Sequence, residues 1–509
     1  MVALALLAAQ AGQPRAQGGE LEALLRSYGF QLQTEDGRRV VDVSLQQVLK
    51  LALERNLALQ SVRVGEDIAA SALEAARGGF NPTLTSSAAL TRSMSLTSSL
   101  AGGGARSLSL SSTYTKPTES GIEYSLTFTE SAVNGLSTSG TVPDLSVNSG
   151  STVNLSQLKG AVNIPIGQGY GKDINLIPVR RSEAGLSGSR LNTRQNELNL
   201  VQATASTYWD LVAAQENLRV QAEAVKLSEQ LLADNRQRLQ AGVLSPFDVQ
   251  VTESQLARER ERLLTARADL ARIEDLARAL LNLQVIDFQV RPTDKPAVRQ
   301  VQLNYEELLQ RVFDNSPELK LVENRLLTNG LDLESARDAD RTNLDLALYY
   351  TLQGVNDSPL GGIGGFTDTP LDNYGATLTW TLPLNDVRTP ETIRQRTLER
   401  QQLLLDLEGV RADLNVRLQS SIRQVNLSRE QVDTAGVSRR LAEEQLRNEI
   451  ERFRVGESTS FQVAQSQQDA AAAQVQEIIA RLGFERNYLS LLVLSGDIYR
   501  QYGLEPAAR

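Results

Sequence analysis

The stretch Leu73-Glu74-Ala75-Ala76-Arg77 returns 260 residues later as Leu333-Glu334-Ser335-Ala336-Arg337. A second set of positions recurs at an offset of 214 residues, and its pairs are Arg238 with Arg452, Gly242 with Gly456, Phe247 with Phe461 and Val249 with Val463. Self-similarity at fixed offsets indicates one architecture built from two related halves, rather than several unrelated domains in a chain of 509 residues. Each half is predicted to hold an amphipathic helix, alternating strands, a very long helix, a turn containing glycine and a second long helix.

These patterns divide the chain into two repeats with flanking segments. The first repeat is predicted over 44–283, with an opening helix at 44–77, strands at about 83–165 and long helices at about 178–283. The second repeat is predicted over 303–494, with an opening helix at about 304–337, a β-hairpin at about 343–384 and long helices at about 390–494. The other predicted segments are a signal-peptide remnant at 1–11, an N-terminal tail at 12–43, a linker at 284–302 and a C-terminal tail at 495–509.

The strand patterns are the clearest local feature. Apolar side chains occupy every second position from Leu344 to Leu352 and again from Tyr374 to Leu382. Such alternation predicts a hairpin with one apolar and one polar face. Tyr350, Tyr374 and Trp380 belong to the apolar face, where aromatic residues would suit the interfacial girdle of a membrane barrel. A soluble sheet with one buried face would show the same alternation.

The first repeat carries more strand sequence than the second. Its alternating segments begin at Leu84 and end at Ile164-Pro165-Ile166, where proline marks the exit from the sheet. The additional pattern predicts an extra hairpin at about 106–128. Alternation alone leaves open whether this hairpin widens a barrel or folds elsewhere.

The helices that follow the strands are predicted to be very long. Proline is absent from Val179 to Ser245 and from Glu391 to Glu505. The first helix in each segment is predicted to run for about 60 residues, or ~90 Å. A rod of that length has to pack against other long helices, within the chain or between chains. Strands and rods together predict an α+β membrane protein, in which a transmembrane β-barrel is continued by a long α-helical barrel.

Two turns containing glycine interrupt the long helices. The first is Gly242-Val243-Leu244-Ser245, and the second is Gly456-Glu457-Ser458-Thr459. Glycine can take a positive φ and end a helix, and Ser245 or Ser460 can cap the helix that follows. A plain antiparallel helical turn would satisfy this pattern. The recurrence of arginine, glycine, phenylalanine and valine in both turns also fits protruding tips that meet a partner and narrow a pore.

The composition excludes several classes of function. Histidine and cysteine are both absent, which removes the commonest general base, the thiolate nucleophile and the usual soft metal ligands. We therefore expect neither enzymatic activity nor a cofactor. The net charge of -9 disfavours a nucleic-acid partner, because phosphates require a basic face.

The N-terminus has features of an export signal. Val2 to Ala9 is apolar and Ala9-Gln10-Ala11 is a small-x-small cleavage pattern, although no lysine or arginine precedes the apolar run. An apolar N-terminal tail is the alternative. No other segment approaches the ~20 apolar residues that a spanning helix requires.

From about Val43 to Leu494, the chain resembles the TolC-type outer-membrane efflux proteins, also called outer membrane factors. The motifs that carry the resemblance are the duplicated opening helix before Asn81-Pro82, its copy with Asn315-Ser316-Pro317, the hairpins that end in proline, Tyr208-Trp209-Asp210-Leu211 and the two turns containing glycine. The resemblance implies a homotrimer with one β-barrel in the lipid of the outer membrane and one α-helical tunnel in the periplasm. A periplasmic adaptor, or membrane fusion protein, and an inner-membrane transporter are the implied partners.

The resemblance also implies roles for residues at the turns. Family members close the periplasmic end of the tunnel there and often place aspartates at positions that correspond to Gln462 and Gln465. Because this chain has glutamine at both positions, a gate made of carboxylates is in doubt. In the first repeat, Asp248 occupies the position that corresponds to Gln462. Adaptor docking is implied for the two four-residue turns, 242–245 and 456–459.

The resulting expectation is a passive channel-tunnel of a tripartite efflux pump or a type I secretion system. It would export small molecules or polypeptides from the periplasm to the exterior. The alternative is a long coiled-coil structural protein or surface filament without channel activity.

Overall fold

A six-stranded antiparallel sheet and several very long helices form most of the molecule. The computed structural model describes residues 31–35, 38–93, 105–134, 152–282, 288–298, 303–356 and 371–504, together with positions 358, 363 and 366. The predicted signal-peptide remnant at 1–11 lies outside the described residues, as do parts of the predicted tails and linker. The chain divides into a helical unit of residues 1–65, 190–321 and 407–509, and a sheet unit of residues 66–189 and 322–406.

The described strands are β1 (Gln31–Glu35), β2 (Arg38–Val43), β3 (Thr83–Ser93), β4 (Ala105–Pro117), β5 (Glu123–Asn134), β6 (Thr152–Pro165), β7 (Phe288–Pro292), β8 (Asn343–Asn356) and β9 (Leu371–Thr381). The described helices are α1 (Leu45–Arg55), α2 (Leu57–Gly78), α3 (Lys172–Asn175), α4 (Ile177–Gln240), α5 (Pro246–Leu280), α6 (Tyr305–Asn315), α7 (Pro317–Ala339), α8 (Arg388–Arg454), α9 (Ser460–Ser495) and α10 (Ile498–Gln501).

The sheet unit is built on strands in the order β3-β4-β5-β6-β8-β9, with every neighbouring pair antiparallel. The hairpin predicted at about 106–128 is β4 with β5, and it lies in the sheet between β3 and β6. The hairpin predicted at about 343–384 is β8 with β9, and β8 pairs with β6. The first half of the chain therefore contributes four strands to this sheet, and the second half contributes two.

Side chains divide between the two faces of the sheet by residue parity. All five ladders pair even-numbered residues with even-numbered residues, so the even positions of all six strands share one face. This even face carries exposed apolar side chains, between 40% and 79% exposed, at Leu84, Leu90, Leu108, Leu110, Tyr114, Tyr124, Leu126, Leu348, Tyr350, Tyr374, Leu378 and Trp380. A polar pair also lies on it, where Ser156 donates a hydrogen bond to buried Glu130.

The odd face is polar. Hydroxyl groups pair across its strands, and Thr113 Oγ1 lies 3.1 Å from Thr127 Oγ1. Further along β8 and β9, the ring of Tyr349 covers Gly375, where an added Cβ would lie 2.5 Å from the tyrosine hydroxyl. The Lys159 ammonium lies 5.1 Å from the centre of the same ring. The sheet therefore has the two chemically distinct faces that the alternation predicts.

The helical unit contains a small sheet that sequence reasoning missed. Strand β2 pairs antiparallel with β1 and parallel with β7. These strands fall in the segments predicted to be the N-terminal tail and the linker. Arg291 joins the two segments by donating from Nε to Asp42 Oδ1 at 2.6 Å.

The main core of the helical unit packs against this small sheet. It includes fully buried side chains from several helices, among them Leu49, Leu211, Leu418 and Phe484. Tyr208 lies at its edge and donates its hydroxyl hydrogen to Asp294 Oδ2, 2.7 Å away. Burial and the Asp294 carboxylate both raise the pKa of the Tyr208 hydroxyl above its ordinary range, so Tyr208 stays a neutral donor.

Each opening helix is broken once, whereas the sequence pattern predicts unbroken helices over 44–77 and about 304–337. Asn56 separates α1 from α2 in extended backbone, and its side chain accepts a hydrogen bond from Leu59 N at 3.1 Å. Ser316 separates α6 from α7, and its hydroxyl accepts from Leu319 N at 3.3 Å. Both residues cap the helix that follows, which is why the turn survives beside a continuous apolar pattern.

The longest helices are unbroken. Helix α4 has 64 residues and α8 has 67, which correspond to about 96 Å and 100 Å. Residues 190–240 of α4 and 407–454 of α8 belong to the helical unit together with α5 and α9, and the N-terminal parts of α4 and α8 belong to the sheet unit. Within the described part of the chain, no helix combines the length and the apolar character needed to span a membrane.

Candidate functional site at the two helical reversals

Two helical reversals carry most of the residues that the sequence singles out. The first reversal, residues 238–249, joins α4 to α5, and the second reversal, residues 452–463, joins α8 to α9. Each contains one glycine with a positive φ, +75° at Gly242 and +86° at Gly456. Positive φ is accessible to glycine without steric cost, so these two positions decide where each long helix ends.

The first helix of each pair ends with the same hydrogen-bond pattern. In the first reversal, Val243 N donates to Arg238 O at 2.9 Å and Gly242 N donates to Leu239 O at 3.0 Å. In the second reversal, Glu457 N donates to Arg452 O at 2.8 Å and Gly456 N donates to Phe453 O at 3.3 Å. This is the Schellman arrangement, which satisfies the last carbonyls of a helix through a left-handed glycine.

The second helix of each pair begins with a capping box. Asp248 N donates to the Ser245 hydroxyl at 3.3 Å, and Ser245 N donates to Asp248 Oδ2 at 3.2 Å. Gln462 N donates to the Thr459 hydroxyl at 3.3 Å, and Thr459 N donates to Gln462 Oε1 at 3.1 Å. In both turns two free backbone donors are satisfied reciprocally. Thr459, rather than the expected Ser460, is the N-cap of the second reversal.

The two reversals pack against each other. Leu244 from the first reversal contacts the apolar cluster of Leu231, Phe453, Val463 and Ala464. Arg238 makes a second connection, because its Nη1 donates to Phe453 O at 3.1 Å and its guanidinium lies 4.4 Å from the centre of the Phe453 ring. Both turns therefore form one surface on the helical unit.

Apolar side chains project from this surface. Val243 and Phe247 are each 70% exposed in the first reversal, and Val455 and Phe461 are 73% and 62% exposed in the second. The neighbouring positions Val249 and Val463 are buried, so each turn splits its apolar residues between core and solvent. Exposed apolar groups on a rigid turn can supply the contact area of a docking surface.

The three gate candidates have different surroundings. Asp248 and Gln462 are held in the capping boxes, where their side-chain oxygens accept from backbone and hydroxyl donors. Gln465 is exposed one turn further along α9, and its Nε2 donates to Asp469 Oδ1 at 3.0 Å. The exposed polar pair at this end of α9 is therefore Gln465 with Asp469, a carboxylate that sequence reasoning did not select.

Polar groups also tie the helices together behind the reversals. Asn235, fully buried, donates from Nδ2 to Thr252 Oγ1 at 2.7 Å, which links α4 to α5. Gln474 donates from Nε2 to Glu443 Oε1 at 2.9 Å, which links α9 to α8. This hydrogen bond, followed by the contribution of Arg439, lowers the pKa of Glu443. Within the described residues, no group of three or more acidic side chains is arranged to hold a metal ion.

The aromatic residues predicted for a membrane interface lie elsewhere, on the even face of the sheet. Tyr350 and Tyr374 are directly opposite each other in the β8–β9 ladder, and Trp380 is opposite Leu344. All three side chains are about half exposed or more. The structure thus groups them on one apolar face, away in sequence from the reversals.

Sequence reasoning missed two features of this site. The capping roles of Asp248 and Gln462 have a sequence signal, because each lies three residues after a serine or threonine at a helix start. The packing of Leu244 against the cluster that contains Phe453 and Val463 has none, since it joins positions more than 200 residues apart.

The sequence model of the outer membrane efflux proteins matches residues 178–282 and 308–497. These two segments include both reversals and more than half of the chain. No curated protein matches the chain at a significant level.

Several solved structures have a similar fold. CusC, described as forming a transmembrane channel, has a TM-score of 0.64 and 12% identity over 89% of this chain and 91% of its own. The CmeC outer membrane channel of Campylobacter jejuni has a TM-score of 0.63 and 15% identity over 91% of this chain and 87% of its own. The outer membrane protein VceC of Vibrio cholerae has a TM-score of 0.62 and 13% identity over 89% of this chain and 96% of its own. At these identities the likeness establishes the fold alone.

Proposed function

The chain belongs to the outer membrane efflux protein family, and we propose that it forms the passive exit channel of a tripartite export system. Its location is the outer membrane, with the helical tunnel in the periplasm. Three copies would close one β-barrel and one helical tunnel around a common axis. No enzymatic step is part of this function, because the family consists of channel proteins.

The observation that carries the proposal is the exposed even face of the sheet. Leucine, tyrosine and tryptophan side chains cover that face while hydroxyl groups cover the other. Burying an exposed leucine in an apolar phase is favourable by about 1.5–3 kcal/mol. A sheet with one such face and one wet face fits a barrel wall with lipid outside and water inside. In a soluble filament this apolar face would be exposed to water, which is unfavourable.

The reversals support a docking role for the same channel. We assign adaptor docking to the exposed side chains of the two turns, with Val243 and Phe247 on one turn and Val455 and Phe461 on the other. In the proposed system, the inner-membrane partner supplies the energy for transport. The proposed cargo is a small molecule or a polypeptide, which enters through the partner.

The lipid-facing role of the even face is tested by two arginine substitutions at neighbouring positions of β9. Leu378 is on the even face and is 61% exposed, and Thr379 is on the odd face. Arginine on a lipid face costs about 2–4 kcal/mol at mid-membrane, whereas a lumen position tolerates it. We expect Leu378→Arg to lower the amount of protein in purified outer membranes several-fold and Thr379→Arg to leave it unchanged.

Channel activity is measured on the same preparations. Unaltered protein and Thr379→Arg, reconstituted into planar lipid bilayers, should both give stepwise ion conductance. Equal membrane levels for the two variants, or unaltered protein that stays soluble and monomeric without detergent, would refute the channel. Loss of efflux in a deletion strain, restored by the unaltered gene, connects the pore to export.

A further inference from the structure

The six-stranded sheet has two edges that are free to pair with another copy of the chain. Strands β3 and β9 are at the ends of the order, and within the described residues neither has a partner on its outer side. Each edge presents a row of backbone N–H and C=O groups, which pair readily with another strand. The second copy of this chain is the occupant that the strand directions favour.

Strand directions at the two edges are compatible with such pairing. All neighbours are antiparallel, so with six strands β3 and β9 run in opposite directions. Strand β9 of one copy can therefore pair with β3 of the next in the same antiparallel manner as inside the sheet. The sheet closes on itself without any change in the pattern of its ladders.

The faces are also compatible at this junction. On β3, Leu84 and Leu90 are 72% and 79% exposed, and on β9, Tyr374 and Trp380 are 76% and 65% exposed. All four belong to the even face, so pairing in an even register gives a continuous apolar outer surface. These edge residues are more exposed than Leu110 or Leu126 in the middle of the sheet, as expected where a neighbouring strand is still to be added.

The hairpin of β4 and β5 belongs to the sheet along its full length. Its strands pair with β3 on one side and β6 on the other through most of their residues. The turn between them is tied to the segment after β6, because Gly171 N donates to Ser120 O at 3.0 Å. A Cβ at Gly121 would lie 2.4 Å from Gly169 O, so the two segments are in tight contact.

We propose that this hairpin is part of the channel wall, and that three copies of the six-stranded sheet close a barrel of eighteen strands. The proposal rests on the trimeric channel described above. Strands are about 4.8 Å apart and tilt by about 40° in barrels, which gives a backbone diameter of roughly 36 Å. Without the hairpin, four strands from each copy would close at roughly 24 Å. The extra strands therefore provide a wide outer exit that does not sort small cargo by size.

Engineered disulfides test whether the hairpin lies in the wall, and the natural absence of cysteine makes every bridge unambiguous. Ser87 pairs with Ser111 between β3 and β4, and Ser125 pairs with Ala161 between β5 and β6. Paired residues lie about 4.5–5.5 Å apart at Cα, within disulfide reach. The control joins Ser87 to Gln157, which lie in line across the sheet through Ser111 and Thr129, three strand spacings or roughly 14 Å apart.

In intact outer membranes we expect the double variants Ser87→Cys with Ser111→Cys and Ser125→Cys with Ala161→Cys to oxidise. The control Ser87→Cys with Gln157→Cys should stay reduced. Both bridges leave the fold intact if the sheet is as described, and free thiols are counted by mass after alkylation. Oxidation of the control with both test pairs reduced would place the hairpin outside the wall and overturn the proposal.

Electron cryomicroscopy of the detergent-purified trimer then counts the strands. A closed ring of eighteen strands is the expected result. A closed ring of twelve strands would overturn the wide exit and leave the channel function standing. Particles without any closed ring would overturn both.

Discussion

The two helical reversals share a backbone and differ in their side chains. Both use a left-handed glycine, a Schellman pattern and a capping box. The capping acceptor is the carboxylate of Asp248 in the first and the amide of Gln462 in the second. The turn geometry therefore depends on hydrogen bonds that either an aspartate or a glutamine can supply. The charge at this position can differ between the two reversals without changing the backbone.

The reversals also differ one turn further along. Helix α9 exposes Gln465 and Asp469, whereas α5 has half-buried Val251 and buried Gln255 at the corresponding positions. Gln255 donates to Glu259 at 2.6 Å within its own helix. Exposed polar side chains at these two positions are therefore a property of the second reversal.

The largest effect is expected from Gly242→Val and Gly456→Val, which test whether the shared backbone matters equally in both turns. A left-handed conformation costs an L-residue about 1–2 kcal/mol and is worse for a β-branched one. Each variant should reduce efflux, measured as resistance to a toxic compound, by tenfold or more while trimers still form.

The matched control for these glycine variants is Gly409→Val in α8, where an added Cβ meets nothing within 4 Å. It should keep normal efflux. If one turn tolerates valine and the other does not, the reversals are not equivalent in function. Normal efflux with both substitutions together would reject a docking role for the tips.

A smaller effect is expected behind the turns, where the two pairs of helices are linked differently. Thr252→Val removes the acceptor of the fully buried Asn235 amide. An unsatisfied buried donor costs about 1–3 kcal/mol. Ser458→Ala removes a hydroxyl that bonds to Glu449 and Gln462 on a more exposed turn, where water can replace it, so its cost should be below about 1 kcal/mol. Chemical denaturation of both variants would contradict this order if Ser458→Ala were the more destabilising.

The capping boxes should respond alike to alanine. Asp248→Ala and Gln462→Ala each remove the acceptor for an N-cap backbone N–H, and we expect a loss of about 0.5–1 kcal/mol in each case. Thermal melting in detergent measures the loss, and single-channel conductance should stay unchanged. A large change in conductance for Asp248→Ala with unchanged stability would make Asp248 a gate residue rather than a cap.

The smallest effect, a change in ion preference, is expected from the exposed polar residues Gln465 and Asp469 of α9. Asp469→Asn removes the exposed charge beside Gln465, and we expect a change of about twofold or less in cation preference across a lipid bilayer, because exposed charges are screened. Gln465→Ala should change conductance to a similar extent. The corresponding Val251→Ala in α5 is the control and should leave ion preference as it was.

The sequence predicts what is local in this molecule and misses what is not. Alternation predicts both hairpins, and glycine followed by a hydroxyl residue predicts both reversals, because each pattern acts over a few residues. It does not predict the neighbour of β4, nor the pairing of β2 with β7, because strand pairing joins segments far apart in the chain. The helix breaks at Asn56 and Ser316 are intermediate between local and long-range features. Each residue can be recognised as a helix cap, but the continuous apolar pattern around it favours one long helix.

The residues of the two helical reversals also divide into those that local sequence patterns predict and those that they do not. The exposed residues of each turn were expected from their position at a helical reversal. The capping boxes of Asp248 and Gln462 also have a local sequence signal, because each residue lies three positions after a serine or threonine at a helix start. Asp469 has no signal in the sequence, because a lone carboxylate on a polar helix has no distinguishing spacing.

Arg238 connects the two turns through several contacts. Its guanidinium holds the Phe453 carbonyl and ring at once, while its own carbonyl accepts the hydrogen bond that closes the first helix. Contacts of this kind are worth about 0.5–2 kcal/mol each, comparable to a few multiples of thermal energy. Because these contacts are individually weak, they join the two turns without locking them together, so an adaptor that binds one turn would also influence the position of the other.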